Sequence, residues 1–297
     1  MKTSVREALA RGVARLQTAG IESARLDGRI LLSEALCVAS YDQLPAECAP
    51  AQITKFEALI ARRAAREPLA YITGRKEFWS LEFEVGPGVL IPRPESETLV
   101  EEALRQFPDP EAPVRVLDIG TGSGCLIAAF LKERPNAFGL GSDSSQAALA
   151  YARRNASKHG LGDRCQFETS PGVAREFDLI LANPPYLTDE EFQASPPEIR
   201  KYEPQEAFVA GADGLTGFRF FLPIVVRCLA PGGTALLEIG LGQADKVTRI
   251  VMDAGLEVRR AVHDLSAIPR CLAIGRVGLG QPLAPLKNSV GKEPPTR

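Results

Sequence analysis

Val116-Leu117-Asp118-Ile119-Gly120-Thr121-Gly122-Ser123-Gly124 is an apolar run that ends in a glycine-rich turn, and its reading decides the fold. Val116, Leu117 and Ile119 suit a buried strand, while Ser123 to Arg134 reads as a helix, so strand, turn and helix follow one another. Glycines let the backbone pass close to a ligand, and the start of the helix offers backbone N–H groups that have no intrahelical partner. Cys125 stands where the dinucleotide spacing G-x-G-x-x-G needs its last glycine. Asp118, just before the turn, can meet an ammonium group. A nucleoside bearing an amino acid therefore fits this stretch better than a pyrophosphate.

Outward from the turn, apolar runs alternate with amphipathic ones. Strands are expected at Val114 to Ile119, Phe138 to Ser142, Arg164 to Glu168 and Phe177 to Ala182, with helices at Ser123 to Arg134 and Ser145 to His159. That alternation predicts an α/β fold, a parallel sheet with helices on both faces. A helix from Leu215 to Leu229 leads through a Pro231-Gly232-Gly233 turn to a strand at Thr234 to Ile239. A helix from Gln243 to Ala254 and strands near 256–263 and 271–276 then close the sheet with an antiparallel pair.

The first third reads differently. Ser4 and Glu7 fit a capping box ahead of Val5, Leu9, Val13 and Leu16 at helical spacing; further helices are expected over Ser23 to Val38 and Ala51 to Arg66, with Pro68 as the stop. Tyr71-Ile72-Thr73-Gly74 and then Phe78, Leu81, Phe83 and Val85 read as short strands of a hairpin, and a helix begins near Glu95. The division that follows is a helical domain at 1–70, a hairpin linker at 71–94, an α/β domain at 95–276 and a disordered tail at 277–297.

Lys plus Arg total 35 against 37 for Asp plus Glu, a net charge of -2, which argues against a protein that lives on bare nucleic acid. The six cysteines are scattered without a Cys-x-x-Cys pair, and His159 and His263 are the sole histidines, so no metal site is expected. Met1 to Glu7 lacks the apolar run of a secretion signal, and no stretch approaches the ~18 apolar residues of a membrane span. The expected compartment is a reducing cytoplasm.

Asp143 ends the second strand of the alternating region, where a carboxylate can accept hydrogen bonds from both hydroxyls of a ribose. Asn183-Pro184-Pro185-Tyr186 follows the apolar strand Leu179-Ile180-Leu181-Ala182, at the carboxyl edge where doubly wound sheets bind ligands. An Asn amide oxygen and a proline carbonyl can both accept from one planar NH2 group, with a Tyr ring packed on the flat substrate. Such acceptors stabilise the nitrogen as it pyramidalises toward an electrophilic methyl group.

The glycine turn, Asp143 and Asn183 to Tyr186 together resemble an S-adenosylmethionine-dependent methyltransferase of the seven-strand, Rossmann-like class I, of the kind that modifies planar nitrogens. Further stretches resemble the HemK/PrmC family of peptide chain release factor glutamine methyltransferases: Glu67 to Gly74, Val89-Leu90-Ile91-Pro92-Arg93-Pro94-Glu95-Ser96-Glu97, Tyr202-Glu203-Pro204, Gly211 to Leu215, and Glu238-Ile239-Gly240. The resemblance covers roughly positions 1 to 276. It implies transfer of a methyl group from S-adenosyl-L-methionine to the side-chain amide nitrogen of the glutamine in a release factor's Gly-Gly-Gln motif. It further implies that Asp118, Gly120, Thr121, Gly122, Ser123, Gly124, Asp143 and Asn183 bind the cofactor, and that Asn183, Pro184, Pro185 and Tyr186 hold the glutamine and carry the catalysis. Two departures stand out: Ser96 where the family usually has Thr, and a short Glu168-Thr169-Ser170-Pro171-Gly172 where an acidic and a bulky residue usually grip the adenine.

Alternatives remain open at this point. A glutamine of a large-subunit ribosomal protein, or the adenine N6 of a nucleic acid, presents a similar nitrogen, and a nucleoside-binding module without turnover would keep the turn. The partner expected is a release factor, met by a monomer without membrane or direct nucleic-acid contact. Arg93, Glu95, Glu97 and Glu203 are candidates for the cleft or for the surface, Trp79 for packing, and His159 for a cation at a helix end.

Overall fold

The computed structural model describes residues 3–39, 41–170, 175–264 and 267–278; the expected tail, except for its first two residues, lies outside them. A short strand β1 (Thr3–Ser4) leads into α1 (Val5–Thr18), where the Ser4 hydroxyl accepts the Glu7 N–H at 3.5 Å. Then follow α2 (Ala24–Leu36), β2 (Glu47–Cys48), paired antiparallel with β1, and α3 (Pro50–Ala64). Leu16, Leu31, Leu32, Phe56 and Ile60 fill a core of their own between these helices. α3 ends before Pro68 can stop it, because Arg66 takes a left-handed φ of 74° and turns the chain.

Tyr71-Ile72-Thr73 is not a strand. Pro68 caps a one-turn helix α4 (Leu69–Thr73) and Gly74 closes it at φ 75°, so start and stop chemistry override the strand preference of Ile and Thr. The hairpin is shorter than expected, β3 (Arg75–Phe78) with β4 (Leu81–Glu84). Its turn residues Trp79 and Ser80 both have positive φ, held by Glu97 and Glu77 carboxylates that accept their N–H groups at 2.8 and 2.6 Å. Glu97 is thereby committed to the hairpin, at the start of α5 (Glu97–Gln106).

Next come β5 (Arg115–Ile119), α6 (Cys125–Glu133), β6 (Phe138–Ser142), α7 (Gln146–Lys158), β7 (Cys165–Glu168) and β8 (Phe177–Ala182). Two short helices absent from the sequence reading, α8 (Asp189–Ala194) and α9 (Pro197–Tyr202), precede α10 (Thr216–Cys228), β9 (Leu229–Glu238), α11 (Ala244–Asp253), β10 (Leu256–His263) and β11 (Pro269–Arg276). Pro231-Gly232-Gly233 lies inside β9 as an irregularity opposite Phe177 and Leu179, not as a separate turn. His159, after α7, sits in a partly buried site whose desolvation holds its imidazole below the usual value, so a neutral ring donates from Nε2 to the Glu82 carbonyl at 3.0 Å. The expected cation there is not needed.

The seven-stranded sheet has the order β10-β11-β9-β8-β5-β6-β7, with β11 antiparallel to both of its neighbours. Alternate residues of the central strands face opposite layers: Val116, Leu179 and Leu181 pack with α5 and α6, Leu117, Ile180 and Ala182 with α10 and α11. This two-sided burial is why these strands read as continuous apolar runs. The chain leaves β5 for β6 and β7, then returns to lay β8 on the other side of β5. That reversal opens a crevice at the carboxyl ends of β5 and β8.

Candidate active site

Register brings the site together. Ile119 pairs with Ser142 on one side and Ala182 on the other, and Ala182 pairs with Leu237. The next residue of each strand, Gly120, Asp143, Asn183 and Glu238, therefore stands in one row along the sheet's carboxyl edge. A cleft of ≈ 430 Å³ opens above this row, with Gly120, Thr121, Gly122, Ser123, Asp143, Asn183 and Pro185 in its wall. Its far side comes from Gly88 to Leu90 with Pro92 and Arg93, from Glu206 and Ala207, and from Phe220, Phe221 and Ile224 of α10.

Gly120, Gly122 and Gly124 all take left-handed φ, 71°, 56° and 79°, which is why the turn is spelled with glycine. Four of its five N–H groups are already donated within the protein, contrary to the expectation for a helix start. Gly120 and Thr121 donate to the Ser142 carbonyl at 2.8 and 2.9 Å, Gly124 to the Thr121 carbonyl at 2.8 Å, and Gly122 to Asp143 Oδ2 at 2.9 Å. A turn satisfied in this way offers close approach and shape more than an anion cradle. Asp143 Oδ1 also accepts the Ser145 N–H at 2.9 Å, so the carboxylate ties two loops while it faces the cleft.

Asp118 does not line the cleft; it is fully buried under the turn, where Oδ2 accepts from the Thr121 hydroxyl at 2.7 Å and the Ile127 backbone also favours the charged carboxylate. Burial pushes its carboxyl up to about 7 against that hydrogen bond. Gly124, Pro184 and Tyr186 likewise stand behind the wall. The Tyr186 hydroxyl donates to Glu238 Oε1 at 3.4 Å, and a Cβ on Gly240 would lie 3.0 Å from its ring. The ring thus supports the loop from behind and does not face the cleft. Pro185 is seated as closely, since a Cβ on Gly217 of α10 would lie 2.3 Å from its carbonyl oxygen.

Two residues that the sequence reading quotes in family-like stretches but assigns no role complete the row. Asn183 Nδ2 donates to Ser96 Oγ at 3.1 Å, and Ser96 Oγ donates to Glu238 Oε2 at 2.5 Å; Ser96 and Glu238 are 3% and 2% exposed. Glu203, expected at the cleft or on the surface, is buried instead: it accepts the Ile91 N–H at 3.0 Å and pairs with Arg93 at 2.5 Å, locking the Pro92-Arg93-Pro94 wall to the segment after α9. Arg93 is on the cleft, whereas Trp79 packs against the sheet core. Thr169 and Ser170 reach the wall, and Pro171 and Gly172 lie outside the described residues.

Residues 7–74 match the PrmC N-terminal domain and residues 96–196 the methyltransferase small domain. The release factor glutamine methyltransferase of Geobacter sulfurreducens is 42% identical over 87% of this chain and 92% of its own length. That of Rhodospirillum rubrum is 39% identical over 94% of this chain and 86% of its own. A solved structure of the protein-(glutamine-N5) methyltransferase (release factor-specific) from Alicyclobacillus acidocaldarius is 31% identical, covering 65% of this chain and 99% of that one, at a TM-score of 0.39. Identity at this level, sustained through the helical third and the sheet alike, leaves one conclusion: the chain belongs to the release factor glutamine methyltransferase family.

Proposed function

We propose that this chain transfers a methyl group from S-adenosyl-L-methionine to the N5 nitrogen of the glutamine in the Gly-Gly-Gln motif of peptide chain release factors. The observation that carries the reading is the juxtaposition, in one cleft, of a glycine turn with an acidic strand end and Asn183 at the head of Asn-Pro-Pro-Tyr. These residues fit the cofactor chemically. The turn has no side chains to obstruct a nucleoside at positions 120 and 122, and Asp143 offers carboxylate oxygens to ribose hydroxyls. S-adenosylmethionine, when bound, supplies an electrophilic methyl group on a positively charged sulfur.

Gly120 to Ser123 hold the cofactor by close backbone approach, Asp143 orients the sugar, and Asn183 stands where cofactor and substrate meet. Asp118 and Gly124 act from beneath, by fixing Thr121 and by starting α6. Asn183 Oδ1 accepts one N–H bond of the glutamine amide from the cleft wall, the backbone carbonyl of Pro184, whose ring is buried behind that wall, accepts the other, Pro185 shapes the floor and Tyr186 props the loop. Acceptance of both N–H bonds draws the nitrogen lone pair out of conjugation and aims it away from the acceptors. An alkylated amide nitrogen sheds a proton readily, so positioning and acceptance supply the acceleration without a strong base.

The division into a docking domain at 1–70, a linker at 71–94 and a transferase domain at 95–276 belongs to the same proposal, supported by the separate core of α1 to α3. We place the enzyme in the cytoplasm, where release factors work, as a monomer; its net charge of -2 supports a protein and not a polyanion as partner. The test is transfer of labelled methyl from S-adenosylmethionine to purified release factor. Label is expected in the intact factor and absent when the motif glutamine is replaced; equal label in both would refute the reading.

A further inference from the structure

Hydrogen bonds have a direction, and while Glu238 is ionised the chain Asn183–Ser96–Glu238 runs one way only. An ionised carboxylate only accepts. Ser96 spends its one hydroxyl proton on Glu238 Oε2 at 2.5 Å, so toward Asn183 it offers lone pairs alone, and the group that meets it at 3.1 Å must be the amide NH2. Asn183 Oδ1 is then turned away from Ser96. Ser96 and Glu238 are 3% and 2% exposed, and Ser96 meets the cleft only at its edge, so the pair is held mainly by its protein partners.

We infer that Ser96 and Glu238 are positioning residues that fix which edge of the Asn183 amide faces the substrate, so that the reacting NH2 group always meets an acceptor. The inference rests on the reading that Asn183 receives a planar NH2 group. An amide flipped by half a turn would set NH2 against NH2, donor against donor, and the acceptor pair would be broken.

A pH dependence follows. Desolvation raises the Glu238 carboxyl to about 7, opposed by the Ser96 and Tyr186 hydroxyls and by Arg270, and assisted by Glu95; Cys271 lies across from it on β11. Once protonated, Glu238 can donate to Ser96, whose own proton then turns toward Asn183 and favours the flipped amide. The active form is the ionised one, so turnover falls as pH drops through about 7.

The experiment is steady-state methyl transfer to release factor across pH, with full-length wild type, Ser96→Ala, Ser96→Thr and Glu238→Gln, each checked for folding and for cofactor binding. We expect Ser96→Ala and Glu238→Gln to lower kcat on the order of tenfold to a hundredfold with little change in KM, Ser96→Thr to recover it, and the acid limb to vanish in Glu238→Gln. A folded Ser96→Ala with wild-type kcat, or an acid limb that persists in Glu238→Gln, overturns the inference. If Glu238→Gln does not fold, the Ala and Thr pair at position 96 decides alone. Should wild type leave release factor unmodified, the substrate reading fails and the relay is read separately from hydrogen exchange of the Asn183 side-chain NH2 by NMR. Slow exchange that becomes fast in Ser96→Ala supports the relay, and equal exchange rejects it.

Discussion

Asp143 carries two loads at once, because its oxygens already accept from Gly122 and Ser145 while the side chain lines the cleft. Asp143→Ala removes charge-assisted bonds to the ribose worth ~1.5 to 3 kcal/mol, a loss of about ten- to a hundredfold in S-adenosylmethionine affinity. Calorimetry on the variant, paired with a melting curve because two loop N–H groups also lose their acceptor, measures this; an unchanged dissociation constant would remove Asp143 from the cofactor site. Asn183 belongs to the reaction itself. Asn183→Ala should lower kcat by on the order of 10² to 10³ while cofactor affinity changes less, and near-normal turnover in a folded variant would contradict its role.

Elements place these residues, and the sequence discloses elements unevenly. β5 and β8 were legible because strands buried on both faces are mostly apolar, and the glycine turn because three positive φ values leave few other residues. Asp143 and Asn183 could be placed at strand ends from the same reading. What stayed hidden depends on partners far along the chain. Ser96 and Glu238 are 142 positions apart, and nothing local marks Ser96 as buried in a segment rich in Pro and Glu. α8 and α9 have six residues each, too few to show a helical period. α10 was visible as a helix, but the reason for Gly217 was not: the Pro185 carbonyl occupies the space of a side chain there. Gly217→Ala should push the Asn-Pro-Pro-Tyr loop out of place, lowering kcat roughly tenfold to a hundredfold and stability by ~1 to 3 kcal/mol. Kinetics and urea unfolding of one variant check both, and wild-type values in each would show that the loop is not held from α10.

Across the whole molecule, the helical third is bound to the catalytic part by charge as well as by chain. Arg63 of α3 pairs with Asp27 of α2 at 2.7 Å and with Glu198 of α9 at 3.0 Å, and Arg66 reaches the same Glu198 at 2.8 Å. Arg63 and Asp27 are buried, so Arg63→Ala strands a carboxylate and should cost ~3 to 5 kcal/mol in urea unfolding; a loss below about 1 kcal/mol would mean that the pair is relaxed by water. α9 is followed directly by buried Glu203, which pairs with Arg93 of the cleft wall, so the helical third and the cleft are tied to the same segment. A short Gly-Gly-Gln peptide can use only the cleft. It should be methylated on the order of 10²-fold less efficiently than intact release factor, and equal kcat/KM would show that the helices merely cover the sheet. The central claim, that this cleft methylates one amide nitrogen in a release factor, is tested most directly by tandem mass spectrometry of release factor incubated with S-adenosylmethionine and either wild type or Asn183→Ala. The account predicts a single added methyl, located on the side-chain nitrogen of the Gly-Gly-Gln glutamine, with wild type and almost none with the variant. A methyl on any other residue, or equal methylation by both proteins, would contradict it.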